Sequence, residues 1–182
     1  SREVEEMYVH VDSVLGDFID YLDKSVGRKN YLMVITSDHG VGPIPEYLNE
    51  QGRVQIDAGR LKKSAVVNQM NAYLSKTFLP PAAKEQLIER FEIPSVFINN
   101  DVVVKYELNR ETVVDSLVKF AKSMEGMKYV ASRDFAMKYK PIDWDEETWQ
   151  LVKNDLYFDR TGEVVMYPKP YWIYGGNLAT HG

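Results

Sequence analysis

Hydrophobic positions recur every three or four residues over 3–26, which predicts a long amphipathic helix. The apolar members of this pattern are Val4, Met7, Val11, Val14, Phe18 and Leu22. Gly27 follows them directly, as is common where a helix ends. The next apolar run, YLMVI at 31–35, contains β-branched residues and predicts a short buried strand. A helix followed by such a strand is typical of an α/β sheet with helices on its faces.

The pattern changes after this strand and indicates a mixture of shorter elements. Glycines and prolines break up 41–59, which predicts a loop with a short hairpin at Gln51-Gly52. Two β-rich runs on either side of 99–101 predict another hairpin, so that 95–131 would form a small α+β lobe of the ferredoxin-like kind. The remaining predicted elements are helices over 61–78, 80–91, 110–124, 134–139 and 145–155, and strands over 127–131 and 162–168.

These elements predict the fold class α/β and a division of the chain into two parts. Residues 1–43 and 161–182 are expected to contribute to an α/β core. Residues 44–160 are expected to form an α+β lobe inserted into that core.

Composition narrows the range of functions. Of the 182 residues, 45% are hydrophobic and 27% charged, as in ordinary globular proteins. No apolar run approaches the ~20 residues that cross a bilayer, so no membrane span is predicted. The formal net charge of −5 argues against a nucleic-acid partner. The chain opens on the charged stretch SREVEEMY and has no initiator Met at its first position, from which we expect it to be part of a longer protein.

The absence of cysteine restricts any transition-metal site to histidines and carboxylates. The three histidines are His10, His39 and His181. Asp38 and His39 follow the predicted strand directly, and Gly40 and Gly42 would allow a sharp turn there. An aspartate and an imidazole are both good zinc ligands.

Two readings of Asp38-His39 stay open at this level, a metal-binding pair and an ordinary turn. A third reading, a catalytic relay that includes Ser37, is disfavoured because successive strand residues point to opposite faces. His181, in the stretch ATHG, is either a ligand or an exposed residue, and His10 is expected to be structural or on the surface.

Several other polar and aromatic residues have alternative interpretations. Lys62, Lys63 and Arg133 could contact phosphate, but solvated charges are the simpler interpretation. The aromatic residues between 144 and 174 could form a carbohydrate- or base-binding surface, but core packing is favoured.

Three segments together resemble the alkaline phosphatase superfamily. VITSDHGVG, which is 34–42, resembles its T-[AS]-D-H-G stretch. DRTGEVVMYPKPYW, which begins at Asp159, resembles its R-S-G-[DE]-[IV]-V and K-P-x-W segment, and LATHG resembles the T-H-G segment that carries a late metal ligand. The match is best to the type I phosphodiesterase/nucleotide pyrophosphatase group, particularly to bacterial alkaline phosphatases with a threonine nucleophile.

The resemblance implies a metal site and a reaction. It implies that Asp38 and His39 bind one Zn²⁺, that His181 binds a second, and that the two ions clamp a phosphate ester. The parent protein would hydrolyse phosphate monoesters through a covalent phosphothreonine. Alternatives are a phosphodiesterase or nucleotide pyrophosphatase, or a non-catalytic binding domain. Relatives in the family are usually exported, so a periplasmic or secreted location is expected.

The family's nucleophile and its D-x-x-x-H ligand pair precede the segment that begins here at Ser1. No catalytic residue is therefore assigned within the chain. We expect the 182 residues alone to bind zinc weakly or not at all, to be inactive, and to self-associate through exposed sheet edges.

Overall fold

The computed structural model describes residues 2–37, 40–50 and 56–176. The chain divides into two compact units, Ser1–Asp38 and His39–Gly182. Within the described ranges, no helix is long and apolar enough to cross a membrane.

The first unit consists of one long helix and an extended segment. Helix α1 is Arg2–Ser25, which confirms the predicted helix over 3–26. Gly27 has a φ of +91° and its N–H donates to the carbonyl of Leu22, so it ends the helix as expected. Most apolar side chains of α1 are exposed, including Met7 and Phe18, whereas Leu15, Ile19 and Leu22 are half-buried.

The strand predicted over 31–35 is wrong for this structure. Residues 31–37 form no strand, and Leu32, Val34 and Ile35 are largely exposed. An apolar run becomes a strand only where neighbouring strands complete its hydrogen bonds, and no described strand pairs with this segment.

The second unit contains all the strands that the structure describes and the remaining helices. Its helices are α2 (Pro45–Glu50), α3 (Lys63–Phe78), α4 (Asn100–Lys105), α5 (Arg110–Lys122), α6 (Arg133–Lys138) and α7 (Glu146–Asp155). Its strands are β1 (Gly59–Leu61), β2 (Ile88–Glu92), β3 (Ser95–Ile98), β4 (Met127–Ser132), β5 (Val164–Pro168) and β6 (Trp172–Tyr174).

The larger sheet is antiparallel and has the strand order β2-β3-β5-β4. Successive residues of β5 alternate between two cores, as the period of a strand requires. Val164 and Met166 belong to one apolar cluster with α3 and α5, whereas Val165 belongs to another with α6 and α7. The sheet is therefore covered by helices on both faces.

A second, smaller sheet consists of β1 and β6, which run parallel. The partition of the chain into 1–43, 44–160 and 161–182 remains a prediction. Within the described residues, 164–168 form the strand β5 that pairs with both β3 and β4.

Four helices and two strands of the second unit agree closely with the sequence patterns. They are α3, α5, α6, α7, β4 and β5. Helix α5 shows why, because Asn109 caps its first turn by accepting from the Thr112 N–H at 2.8 Å. Its buried residues, Val113, Leu117 and Ala121, follow at intervals of four.

The helix predicted from Pro80 to 91 is wrong. Residues 88–92 form β2, which turns at Ile93-Pro94 and pairs with β3. The buried amide of Asn71 contributes to this, because its oxygen accepts from the Ile88 N–H at 2.8 Å. Strand pairing and burial outweigh a weak helical pattern here.

The hairpin predicted around 99–101 is also wrong, since its second run is the helix α4. The Asn99 side chain accepts from the Val102 N–H at 3.2 Å, and this cap outweighs the β-propensity of three consecutive valines. The predicted loop over 41–59 contains α2, and the hairpin predicted at Gln51-Gly52 lies outside the described residues.

Candidate functional site

The three predicted metal ligands, Asp38, His39 and His181, lie outside the described residues. Their assignment therefore stays a prediction. Within the described part of the chain, no group of three His, Asp or Glu side chains is placed to hold a metal ion. His10 is exposed on α1, in agreement with its expected surface position.

The segment leading toward His181 begins at the carboxyl edge of the β1–β6 pair. The Gly175 N–H donates to the Leu61 carbonyl at 2.9 Å, which continues the parallel pairing beyond Tyr174. Gly175 has a φ of +99°, a conformation that favours glycine. The start of the segment that carries His181 is thus fixed against β1.

Arg60 reinforces this edge. Its Nε and Nη2 donate to the two carboxylate oxygens of Glu46, at 2.5 and 2.9 Å, and its Nη1 donates to the Gly175 carbonyl at 3.3 Å. The guanidinium lowers the pKa of the Glu46 carboxyl below its ordinary value. Arg60 therefore links α2, β1 and the residues after β6.

A cavity of about 780 Å³ lies at the same edge. Its lining combines the end of β1, the first turns of α3 and the pair Gly175-Gly176. Ligands of open α/β sheets bind outside the carboxyl ends of parallel strands, which is the position of this cavity. Sequence patterns gave no reason to connect Lys62-Lys63 with Gly175-Gly176, because only the β1–β6 pairing brings them together.

The K-P-Y-W segment fastens β6 to the rest of the unit. Asp57 accepts from Lys169 Nζ at 2.8 Å and from Trp172 Nε1 at 2.9 Å. These bonds, the one from Lys169 first, lower the pKa of the Asp57 carboxyl. The Trp172 ring covers Gly59 and Gly126, where an added Cβ would lie 2.7 and 2.3 Å from ring atoms.

The R-T-G-E segment holds the larger sheet together. One Glu163 oxygen accepts from the Ile98 N–H at 2.8 Å, and the other is paired with Arg110. Gly162 lies against β3, since an added Cβ would come within 2.3 Å of the Val96 carbonyl oxygen. Both motif segments thus stabilise the fold of the described residues through hydrogen bonds and packing.

Arg133, a candidate phosphate contact, is instead 5% exposed. Its Nη1 donates to the carbonyls of Phe158 and Thr161, each at 2.7 Å, and its Nε to Asp134 at 2.8 Å. A cation that is buried and bonded to the protein in this way is not exposed to a ligand. The solvated interpretation was also wrong for this residue.

The aromatic residues between 144 and 174 mostly fill the core. Trp144 is buried between Tyr129 and Tyr167, and the ring of Tyr174 lies edge-on to Phe91. Burial raises the pKa of Tyr167 to about 12. Tyr157, Phe158 and Tyr171 are exposed, and the first two rings lie against the guanidinium groups of Arg160 and Arg133.

Comparison with known proteins places this fold in a class of hydrolases. The chain matches the model of the type I phosphodiesterase / nucleotide pyrophosphatase family over residues 1–181. The chain therefore belongs to this family, and the resemblance predicted from VITSDHGVG, DRTGEVVMYPKPYW and LATHG is confirmed.

Among curated proteins, it is similar to alkaline phosphatase PafA of Elizabethkingia meningoseptica. The two are 28% identical, and the match covers the whole chain and 32% of the length of that protein. It is 24% identical to a protein named calcium-transporting ATPase from Myroides odoratus, again over the whole chain and 32% of the relative. It is also 29% identical to alkaline phosphatase PhoV of Synechococcus elongatus, over 65% of this chain and 20% of that protein.

Two solved structures of PafA have a fold that matches this chain. The crystal structure of wild-type PafA matches with a TM-score of 0.85 and 24% identity, covering the whole chain and 33% of PafA. A mutant of PafA matches with a TM-score of 0.84 and 25% identity, over the whole chain and 32% of the mutant. The predicted fold class is thus confirmed, and the chain spans about a third of the length of these relatives.

Proposed function

We propose that the protein to which this chain belongs hydrolyses phosphate monoesters at a centre of two zinc ions. Asp38 and His39 would bind one ion and His181 the other. The nucleophile would be a threonine outside these 182 residues, and the reaction would pass through a phosphothreonine.

The observation that carries the proposal is the family match over 1–181, a range that contains Asp38-His39-Gly40 and Thr180-His181. The relatives named PafA and PhoV are alkaline phosphatases, which supports a phosphate ester as the substrate. The structural role of the K-P-Y-W segment supports it indirectly, because Lys169 and Trp172 hold β6, which leads toward His181.

The donor chemistry fits zinc, but the number of donors in this chain is too small. A carboxylate and an imidazole are ordinary zinc ligands, and each zinc normally takes three or four protein ligands. When bound, the ions would supply Lewis-acid stabilisation of the phosphoryl oxygens. Three donors for two ions leave both sites incomplete, so the chain alone is expected to be inactive.

The alternative reaction is hydrolysis of phosphodiesters or nucleotide pyrophosphates. The description of the matching family favours this alternative, whereas the names PafA and PhoV favour monoesters. A monoester carries one more negative charge than a diester, and positively placed side chains recognise that charge. Rates with matched monoester and diester substrates on the full-length protein discriminate between the two.

The main experiment uses the full-length protein loaded with zinc. We expect p-nitrophenyl phosphate turnover, and a loss of turnover and of bound zinc in D38A, H39A and H181A. H10A serves as the control, since His10 is exposed on α1. Unchanged zinc content in all three ligand variants would overturn the assignment of the ligands.

A companion experiment uses residues 1–182 alone. Calorimetric titration with zinc should give weak binding or none, and the phosphatase assay should give no turnover. Tight stoichiometric zinc binding together with turnover would contradict the proposal.

For location, we propose the periplasm or the exterior of the cell, which fractionation of the source cells tests directly.

A further inference from the structure

The extended segment 31–35 has an apolar surface that the described structure leaves open. Leu32, Val34 and Ile35 are 89%, 77% and 69% exposed. Together with Tyr31 and Met33 they form an apolar run that contains no charge, proline or glycine. Contiguous exposed apolar surface of this kind is typical of a site that contacts other polypeptide.

The segment has two different faces. Tyr31 and Met33 are half-buried and alternate with the exposed Leu32 and Val34, as expected for extended backbone with a period of two. The Tyr31 hydroxyl donates to the Asp23 carboxylate at 2.7 Å, which attaches the segment to α1. One face of the segment is therefore partly covered, whereas the other is bare.

The backbone of the segment is open as well. No backbone hydrogen bond joins 31–36 to another described segment, and none of the described strands pairs with it. A strand that is apolar on both faces is typical of the interior of a parallel sheet, where helices cover both faces. Exposed strand edges instead commonly carry a lysine or a proline that prevents pairing, and 31–35 contains neither.

Helix α1 also lacks a partner for most of its apolar stripe. The stripe residues Val4, Met7, Val11, Val14 and Phe18 are 44–59% exposed. Most of the stability of a helix in a protein comes from tertiary packing of its apolar face. The first unit therefore has the composition of one layer of a larger α/β structure.

The solved relatives are long enough to supply the rest of such a structure. The crystal structure of PafA matches the whole chain, but the match covers 33% of PafA, so about two thirds of that protein lie outside it. One strand–helix–strand unit takes about 30 residues or more, so a chain of that length contains several. A second copy of the 182 residues would pair one edge of 31–35 but leave the other edge and the bare face open.

From these observations we infer that residues 31–35 are an interior strand of a sheet whose neighbouring strands and covering layer come from the same polypeptide outside residues 1–182. Leu32 and Val34 pack against that layer, and α1 covers the opposite face. The segment acquires its ladder of backbone hydrogen bonds only when this polypeptide is present. This assembly of the fold does not depend on the proposed reaction.

Hydroxyl-radical footprinting of the full-length, unmodified protein measures whether the surface is covered. The oxidation rate of each leucine in the folded protein is divided by its rate in urea. We expect Leu32 to be protected to the same degree as Leu117, which is buried in α5, whereas Leu151 is 67% exposed on α7 and reports an accessible leucine. A Leu32 that reacts as fast in the folded protein as in urea overturns the inference.

Photo-cross-linking of the full-length protein identifies what covers the segment. p-Benzoylphenylalanine replaces Leu32, and isotope-labelled and unlabelled copies are mixed before irradiation. Mass spectrometry should find cross-links within one copy to residues outside 1–182. Cross-links to 40–176, or between labelled and unlabelled copies, assign the surface to a different occupant and reject the inference.

A matched pair of variants measures the contribution of the bare face to stability. Val34 and Val104 are 77% and 70% exposed in the described structure. In the full-length protein with a chelator present, V34A should lower Tm by at least ~2 °C, because buried methyl groups are lost, whereas V104A should leave Tm unchanged. Equal Tm values of the two variants contradict a covered Val34. None of the three measurements uses turnover, so failure of the proposed reaction leaves them unaffected.

Discussion

The indole of Trp172 lies directly over Gly126, and a Cβ on that glycine would come within 2.3 Å of the ring. Gly126 also has a φ of +77°, and its carbonyl accepts from the Lys169 N–H at 2.8 Å. The two residues thus join the start of β4 to the K-P-Y-W segment. A side chain at 126 would meet both a steric and a conformational obstacle.

Gly126→Ala is therefore expected to destabilise the protein. Overpacking alone costs about 1–3 kcal/mol, and alanine in the left-handed region adds to that cost. The free energy of unfolding from denaturant titration measures the effect. Gly176→Ala is the control because no atom of the described residues lies within 4 Å of its added Cβ and its φ lies outside the left-handed region. Equal stability of the two variants would contradict the proposed packing.

Arg133→Met should destabilise the protein without a specific effect on phosphate binding. The substitution removes the guanidinium that donates to the carbonyls of Phe158 and Thr161, and hydrogen bonds to a charged group contribute about 1.5–3 kcal/mol. Arg160→Met is the matched control, since Arg160 is exposed. Chemical denaturation of both variants is the measurement, and an effect within ~0.5 kcal/mol for Arg133→Met would refute the structural role.

The ionised Glu85 carboxylate makes the stability of the folded state depend on pH. Lys105, backbone N–H groups and Tyr106 bind its carboxylate and lower its pKa from 4.5 to about 2. Because the folded-state pKa is the lower one, the carboxylate stabilises the fold above about pH 4.5. That contribution is lost as the pH falls from about 4.5 towards 2.

The difference in Tm between wild type and E85Q should consequently be largest at neutral pH and shrink over this acidic range. E89Q is the control, because Glu89 is exposed on β2 and has no ion-pair partner in the described part of the chain. A Tm difference that is as large at pH 3 as at pH 7 would rule out this linkage.

The apolar face of α1 predicts association of the isolated chain. Val11 and Phe18 are 44% and 50% exposed, and Met7 lies on the same side of the helix. Exposed apolar faces of this kind favour self-association. Sedimentation of residues 1–182 should show oligomers, and V11E/F18E should reduce them. Ser13→Glu adds a charge elsewhere on α1 and should have little effect, whereas a purely monomeric wild type would refute the prediction.

The sequence predicted those elements that are specified by residues within or directly beside the element itself. Helix α5 has its cap at Asn109 and its buried residues at intervals of four, and both signals can be read from the chain. Helix α4 has the same kind of cap at Asn99, but three consecutive valines obscured it. Strand β2 depended on pairing with β3 and on the buried Asn71, which are tertiary effects.

The sequence likewise predicted only part of the candidate site. The motif segments identified the family, yet the roles of Glu163, Lys169 and Trp172 became clear only from their partners. The cavity at the β1–β6 edge escaped detection because Lys62 and Gly175 are distant in sequence and adjacent only through the β1–β6 pairing. Parallel pairing between distant segments leaves no local signal.

The position of β5 has a consequence for synthesis of the protein. β5 is the last strand of the larger sheet to leave the ribosome, yet it lies between β3 and β4 and pairs with both. The β2–β3 hairpin and the strand β4 therefore cannot join until residues 164–168 have been translated. Until then the nascent chain exposes the edges of β3 and β4 that β5 later covers, and unpaired edges of this kind favour association with other chains.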